Sequence, residues 1–387
     1  MSLSVQPPAA HNQGHSNKGA GLEQELRYYR VLDAEGSLKG GAEMGMDMQK
    51  AVDIYCAMLR NRIIDQQLER LQRQGRVAFH VGSLGEEASI VASAAALSAK
   101  DWIFPCYREI GALLWRGFPL QRYIDNMYGN VDDTVQGRQM PDHYTSREHA
   151  YASVSSPVGT QIPHAVGFAW AAKLKNDPIV TAVFFGDGAT SSSDFHSAMT
   201  FAGVYRTPTI FLCRNNQWAI SIPRSQQSAC RHLADKGEGY GVRSVRCDGN
   251  DALAVHACVQ EAAQYARSGQ GPVLIELETY RLGSHSTSDD PTAYRSEDEF
   301  AAFAGGDPLK RLAAFLIGKK AWRETQEEAY RASVEQELKQ CIQAAEAKAK
   351  PELQTMFEGV YATMPTHLAR QSAHCHALPR APQHGED

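Results

Sequence analysis

The amino-acid sequence predicts an α/β fold, a doubly wound and mostly parallel sheet with an N-terminal arm and a C-terminal helical extension. Three observations carry that prediction. Residues 179–185, Ile-Val-Thr-Ala-Val-Phe-Phe, form an apolar run of strand length between Pro178 and Gly186. A helix-like stretch over residues 194–202 follows, and a second apolar run, Thr209-Ile210-Phe211-Leu212-Cys213, ends at Arg214-Asn215-Asn216. The alternation continues through a strand at 244–246, a helix at 252–268 and a strand at 273–278. Strands separated by helices in this order are the pattern of a parallel sheet.

Taken from the N-terminus, residues 1–22 are rich in Pro, Gly, Asn, Gln, Ser and His and are expected to form a disordered arm. Residues 23–80 make an N-terminal helical segment. Its main helix runs over residues 47–74, where Val52, Tyr55, Leu59 and Ile63 recur at steps of three and four. Such a stripe is ordinary packing, and no chemistry is assigned to it. Ser83-Leu84-Gly85-Glu86 has capping-box spacing, so a helix is expected over 85–98. Trp102-Ile103-Phe104 reads as a short strand, and residues 161–175 as a buried helix of small side chains. These elements place one α/β domain at 81–305, a charged helical extension at 306–368 and a disordered tail at 369–387.

Composition narrows the class. Of 387 residues, 43% are hydrophobic and 21% charged, as in a soluble globular protein with a sizeable core. The net charge of −5 offers no footprint for nucleic acid or an anionic membrane. No apolar stretch approaches the roughly 18 residues of a membrane span. The eight cysteines never fall as Cys-x-x-Cys, and several lie in apolar runs, which points to reduced, buried thiols rather than disulfides or zinc. His374-Cys375-His376 sits in the polar tail and is set aside as a metal site. Residues 1–17 carry no Lys, no Arg and no long apolar core, unlike a secretory signal or an Arg-rich transit peptide. The expected setting is a reducing bacterial cytoplasm.

The chemistry concentrates at Gly186-Asp187-Gly188 and the later Asn216. Two parallel strands joined by a helix put both polar groups at the carboxyl edge of one sheet, where open α/β sheets bind ligands. Glycines beside Asp187 let backbone approach a ligand closely. A carboxylate and a side-chain amide are hard oxygen donors, suited to Mg²⁺ held between protein and phosphates. The plain alternative is an Asp-Gly turn with an unrelated Asn pair, and the strand–turn–helix–strand context argues against it. A dinucleotide site is disfavoured. Ser191 stands where the third glycine of G-x-G-x-x-G belongs, and Tyr205 and Arg206 where the ribose-binding acid belongs.

Four further segments accompany this motif: Tyr107-Arg108-Glu109; Ser156-Pro157-Val158-Gly159-Thr160-Gln161; Arg214-Asn215-Asn216-Gln217-Trp218-Ala219-Ile220-Ser221; and Tyr280-Arg281-Leu282-Gly283-Ser284-His285-Ser286-Thr287-Ser288-Asp289-Asp290, continuing to Tyr294-Arg295. With Gly85-Glu86-Glu87-Ala88, and in this order, they resemble the alpha subunits of heterotetrameric 2-oxoacid dehydrogenases over roughly residues 45–365. The Ser-Thr-Ser-Asp-Asp of 286–290, the Gly137-Arg138-Gln139-Met140-Pro141 phrase and residues 216–221 resemble the bacterial branched-chain (3-methyl-2-oxobutanoate) type. Pyruvate-type subunits tend toward His-Ser-Met-Ser-Asp. One departure is Ser284, where many relatives carry a second His beside the retained His285.

The resemblance implies a thiamine-diphosphate-binding fold and oxidative decarboxylation of branched-chain 2-oxoacids, with acyl transfer to lipoyl-lysine of an acyltransferase core. Thiamine diphosphate and Mg²⁺ are the implied cofactors, the metal held by Asp187, Asn216 and the main-chain carbonyl of Trp218. Cofactor contacts are implied at Tyr107, Arg108, Ser156, Val158, Asp187, Gly188, Ala189, Arg214, Asn216, Trp218, Ile220 and His285. Arg108 and Arg214 would present guanidinium forks to phosphate. A monovalent cation such as K⁺ at Ser156, Thr160 and Gln161 stands against a plain helix-start turn. His285 is the catalytic candidate, since an ordinary pKa of about 6.5 permits either proton donation or a positive charge beside phosphate. Its loop, residues 283–295, is expected to be mobile until cofactor and partner order it.

One group is missing. A carboxylate must activate the thiamine, yet the chain has sheet material for only one domain. Glu86 and Glu87 sit at a helix start, where acids favour the dipole anyway. The activating Glu is therefore expected from a beta subunit in an α2β2 heterotetramer. Two alternatives remain: the alpha subunit of a pyruvate or acetoin dehydrogenase, and a non-catalytic Mg²⁺-diphosphate-binding partner. Against the second stands His285 together with Asp187 and Asn216.

Overall fold

Residues 28–379, apart from residue 305, are described by a computed structural model. The expected N-terminal arm lies outside the described residues, as does the end of the C-terminal tail. The strands are β1 (Tyr28–Tyr29), β2 (Trp102–Phe104), β3 (Thr181–Gly186), β4 (Thr209–Asn215), β5 (Trp218–Ala219), β6 (Ile222–Pro223), β7 (Arg243–Asp248) and β8 (Val273–Glu278). The first helices are α1 (Met48–Arg73), α2 (Glu87–Ala95), α3 (Ile110–Trp115), α4 (Leu120–Tyr128), α5 (Gln161–Leu174) and α6 (Ser193–Tyr205). They are followed by α7 (Arg224–Gln227), α8 (Ala252–Arg267), α9 (Glu297–Ala304), α10 (Pro308–Gly318), α11 (Glu324–Glu346) and α12 (Thr366–Ala377).

Six strands form one sheet in the order β1-β7-β8-β4-β3-β2, and every pairing is parallel. The period of two along each strand decides the layers. From β3 and β4, Ala182, Phe184, Ile210 and Leu212 join the core formed with α1, α2 and α8. The intervening Val183, Phe185, Phe211 and Cys213 join a second core with α5 and α6. Helices therefore cover both faces, which is why these strands read as unbroken apolar runs rather than as an alternation. Phe184 and Phe185 are fully buried, and each contributes roughly 2–3 kcal/mol through its lost water contact.

Register then delivers the site. Gly186 pairs with Arg214 at the end of β3 and β4, so Asp187 and Asn216 leave the sheet side by side at its carboxyl edge. Strand β8 extends the same edge on the other side of β4, and the segment after it carries Arg281 and His285.

The expected N-terminal helix is α1, capped by Asp47 accepting from the Lys50 amide at 2.7 Å. Two expectations need correction. Ser83 does not cap α2, whose first residue is Glu87. Its hydroxyl and amide both donate to Asp65 at 2.8 Å, drawing it toward α1 instead. Residues 369–377, expected in a disordered tail, complete α12. The Ser372 side of α12 is buried against the turn Leu353–Met356, with its hydroxyl donating to Gln354 at 3.2 Å. The C-terminal extension is not detached either, because Leu309, Phe315, Leu316, Leu338 and Ile342 belong to the α1 core. Among the described residues no helix is long and apolar enough to cross a membrane.

Candidate active site

At the carboxyl edge of β3 and β4 lies a cavity of about 380 Å³. All twelve expected cofactor contacts line it: Tyr107, Arg108, Ser156, Val158, Asp187, Gly188, Ala189, Arg214, Asn216, Trp218, Ile220 and His285. They arrive from five separate stretches of chain, each ending at or just beyond this edge.

Asp187 is the only carboxylate in the lining. Burial pushes its pKa up to about 6, and its Oδ2 has no hydrogen-bond partner. A buried oxygen without a donor is costly unless something positive reaches it. Gly186 has open space where a Cβ would stand, so the cavity meets bare backbone there. Gly188 differs, because a Cβ would come within 2.7 Å of the Ala219 Cβ. Its glycine serves packing of the β5–β6 hairpin rather than ligand approach. Asn216 donates to Glu86 at 3.0 Å and accepts the Trp218 amide at 3.2 Å.

The cations divide into two kinds. Arg214 is ion-paired with two buried acids, with Glu86 at 2.5 Å on one terminal nitrogen and Glu109 on the other, while its Nε has no hydrogen-bond partner. Burial opposes its charge, but Glu109 and Glu86 hold it on. This arginine lines the cavity without bringing free positive charge, contrary to the fork expected of it. Glu86 and Glu87 do sit at the start of α2, as expected, and in addition Glu86 is buried against Arg214 and Asn216 while Glu87 pairs with Arg62 at 2.7 Å.

Arg108 and Arg281 are buried, and neither forms an ion pair among the described residues. Arg108 donates to the Gly82 carbonyl at 2.5 Å and to the His285 carbonyl at 2.6 Å. Arg281 donates to the carbonyls of Trp218 (3.3 Å) and Ile220 (2.8 Å) and to the Tyr294 hydroxyl (2.7 Å). Burial and the neighbouring Arg108 push Arg281 below its usual pKa. Ile220 holds a φ of 56°, a strained setting for a β-branched residue, and Arg281 grips its carbonyl. Arg108 thus gives the cavity wall a guanidinium with no ion-pair partner among the described residues, and Arg281 stands behind it against His285.

They also settle the state of His285. Its Nδ1 faces Arg108 Nη2 at 3.0 Å and Arg281 Nη1 at 3.4 Å. Arginine only donates, so Nδ1 is the acceptor and the single proton rests on Nε2. Burial first, then Arg108 and Arg281, drive its pKa down to about 3. In this arrangement the imidazole is held neutral and presents an Nε2–H. Hydrogen bonds tie the loop that carries it to its surroundings. Thr287 donates to the His80 carbonyl, His285 donates to Asp289 at 2.7 Å, and Arg295 donates to the Gly283 carbonyl at 3.1 Å.

The expected monovalent-cation set does not converge. Ser156 faces His143 inside the main cavity. Thr160 donates to the Pro157 carbonyl at 3.0 Å, and Gln161 donates to the Phe184 carbonyl at 2.8 Å while its Oε1 is buried without a partner. Ser155, not Ser156, shares a second cavity with Gln161. Several lining residues went unforeseen. Arg281, which reaches the site through His285 rather than lining the cavity, was in view within its motif but carried no assignment. Met140 was in view within the 137–141 phrase without a role, and His143, Phe79, Val81 and Cys106 carry no spacing signal of their own.

Comparison with known proteins follows the same line. The dehydrogenase E1 component family model matches residues 55–354. The chain is 44% identical to 2-oxoisovalerate dehydrogenase subunit alpha 2 of Arabidopsis thaliana, over 90% of this chain and 74% of that protein. It is 42% identical to the 2-oxoisovalerate dehydrogenase alpha subunits of Mus musculus and Homo sapiens, over 89% of this chain and 78% of each. The names of these relatives place them in mitochondria, so the expected bacterial cytoplasmic setting draws no support from them.

Proposed function

The chain belongs to the dehydrogenase E1 component family, whose members depend on thiamine diphosphate, and from that premise we propose that it is the alpha subunit of a branched-chain 2-oxoacid dehydrogenase, acting with a beta subunit and a lipoyl-bearing acyltransferase core. Its relatives are named for 2-oxoisovalerate. The cavity supports such a substrate, since Phe79, Val81 and Met140 offer apolar wall to a branched aliphatic side chain.

One observation carries the assignment of roles. Among the described residues the cavity lining has a single carboxylate, Asp187, with an unpartnered oxygen, and one guanidinium without an ion-pair partner, Arg108, with Arg281 next to it behind His285. That set fits a diphosphate bound through Mg²⁺. Asp187, Asn216 and the Trp218 carbonyl would hold the metal, while Arg108, Arg281 and the Tyr107 hydroxyl would meet phosphate oxygens. Ser156, Val158 and Ile220 would line the middle of the cofactor. Bound there, thiamine diphosphate supplies the electron sink for loss of CO₂ from a 2-oxoacid. The chain's own part is to place the cofactor, shield it and present the neutral His285 N–H to the acceptor side.

Among the described residues, the cavity lining has no acid besides Asp187 to activate the thiamine. Glu86 and Glu109 are consumed by Arg214, and Glu87 by Arg62. The activating carboxylate belongs to the beta subunit, and the complete site is shared. A K⁺ site is proposed in the second cavity at Ser155 and Gln161, on the strength of the unpartnered Gln161 Oε1. The test is reconstitution with the beta chain, identification of the bound cofactor, and assay with 3-methyl-2-oxobutanoate and pyruvate in parallel. Preference for pyruvate would move the substrate assignment, and absence of thiamine diphosphate would overturn the function.

A further inference from the structure

We propose that His143 is a positioning residue of this site, acting through Ser156; the proposal rests on the cofactor assignment above. His143 lines the cavity and is only 5% exposed. Its Nδ1 lies 3.1 Å from the Pro141 carbonyl, which can only accept, so Nδ1 carries the proton and Nε2 presents the lone pair. That lone pair faces the Ser156 Oγ at 2.5 Å. The Ser156 hydroxyl therefore donates to His143, and its oxygen turns lone pairs toward the cavity.

A serine left to itself offers a donor or an acceptor as its hydroxyl rotates. With its hydrogen committed to His143, Ser156 meets the bound molecule as an acceptor alone. It then selects an N–H group, of which the amine on the pyrimidine ring of thiamine diphosphate is one. The oxygens of a 2-oxoacid find no donor in it. His143 thereby acts on cofactor seating rather than on substrate binding.

The backbone around His143 is built for this aim. Asp142, just before it, is buried with a φ of 66°, a conformation that a residue other than glycine keeps only when its surroundings over-determine it. Its carboxylate accepts from the Val81 amide at 2.7 Å and the Tyr123 hydroxyl at 2.6 Å, and faces His80 Nδ1 at 3.1 Å. The His80 amide donates in turn to Thr287 Oγ1 at 3.0 Å, two residues beyond His285. One buried acid ties the wall carrying His143 to the loop carrying His285, so the two histidines are held relative to each other.

A double-mutant cycle in the α2β2 holoenzyme tests this. Thiamine diphosphate affinity is measured by titration calorimetry with Mg²⁺ for the wild type, His143→Phe, Ser156→Ala and the pair, with KM for 3-methyl-2-oxobutanoate alongside. His143→Phe should weaken the cofactor about tenfold, the worth of one hydrogen bond in a buried site, and leave KM nearly unchanged. His143→Gln, whose amide oxygen accepts the Ser156 hydrogen, should recover most of that loss. Added to Ser156→Ala, His143→Phe should cost nothing more. Should His143→Phe fail to assemble, His143→Asn takes its place, its shorter amide stopping short of Ser156. Equal losses in the Gln and Phe variants, or losses that multiply in the pair, overturn the proposal while leaving the function intact. A wild-type enzyme that binds no thiamine diphosphate overturns both.

Discussion

Asp187 is under opposing demands: burial favours its neutral form, while a metal site needs it ionised. Asp187→Ala should abolish Mg²⁺-dependent retention of thiamine diphosphate and leave the fold intact by circular dichroism. Near-normal affinity by calorimetry would remove the metal assignment. His285 poses the complementary case. Held neutral by burial and two guanidiniums, it is a donor whose proton does not depend on pH near neutrality. His285→Ala should keep the cofactor bound and reduce lipoyl-dependent flux by about 10²- to 10⁴-fold, the usual range for a group that handles a proton. A loss under about tenfold would return His285 to the status of a neighbour. Arg281→Met removes one of the charges that depress this imidazole, so His285 should titrate at a higher pH than in the wild type. Nuclear magnetic resonance of labelled histidine reads that shift, and an unchanged value would separate Arg281 from His285.

Among the elements, the segment before α2 and the segment after β8 work as one unit. Leu282 donates to the Leu84 carbonyl at 2.9 Å, and Thr287 to the His80 carbonyl at 3.0 Å. Gly85 sits where they cross, with a φ of 93° and the Tyr280 carbonyl only 2.4 Å from where a Cβ would be. Gly85→Ala should cost about 1–3 kcal/mol in overpacking and about 1 kcal/mol more for the left-handed backbone. Urea denaturation checks the stability. Because the crossing also seats the His285 loop, activity of the reconstituted enzyme should fall further than stability alone explains. Activity that simply tracks the folded fraction would argue that the two segments are joined only for packing.

For the whole molecule, the buried His80 links stability to pH. Burial alone would lower its pKa, but Asp142 and Asp65 on either side raise it to about 10. A group raised above its unfolded value of about 6.5 contributes stability that is complete below that pH. The contribution is lost as pH climbs through about 10. Unfolding free energy should therefore decline across this window, by up to ~1.4 kcal/mol per pH unit, and His80→Gln should flatten the decline. An identical slope in the variant would assign it to other groups. The same scale decides the division of labour between subunits. With Glu86, Glu87 and Glu109 all tied to arginine, the purified chain should show no decarboxylation at saturating cofactor, and turnover should appear on adding the beta chain. Robust activity of the chain alone would mean that an activating acid lies within it.

By itself the sequence determined the order of strands and helices, because an apolar run of strand length between breakers is a local property. It also determined which segments meet at the site. A parallel sheet brings all its carboxyl ends to one edge, so residues just past each predicted strand had to converge. That is why Asp187 and Asn216 were legible before any coordinates, whereas Tyr107 and His285 were legible through the family resemblance. Only the tertiary structure decided which charges stay free. Arg214 and Arg281 look alike in sequence, yet Glu86, 128 residues away, neutralises the first, while the second meets carbonyls, a hydroxyl and the His285 ring but no acid among the described residues. Ser83 abandoned its capping pattern for an Asp65 on α1, and His143 drew its meaning from a serine on another segment. Hydrogen bonds and ion pairs act over about 3 Å whatever the distance along the chain. Their partners are therefore set by how the layers pack, which no local pattern records.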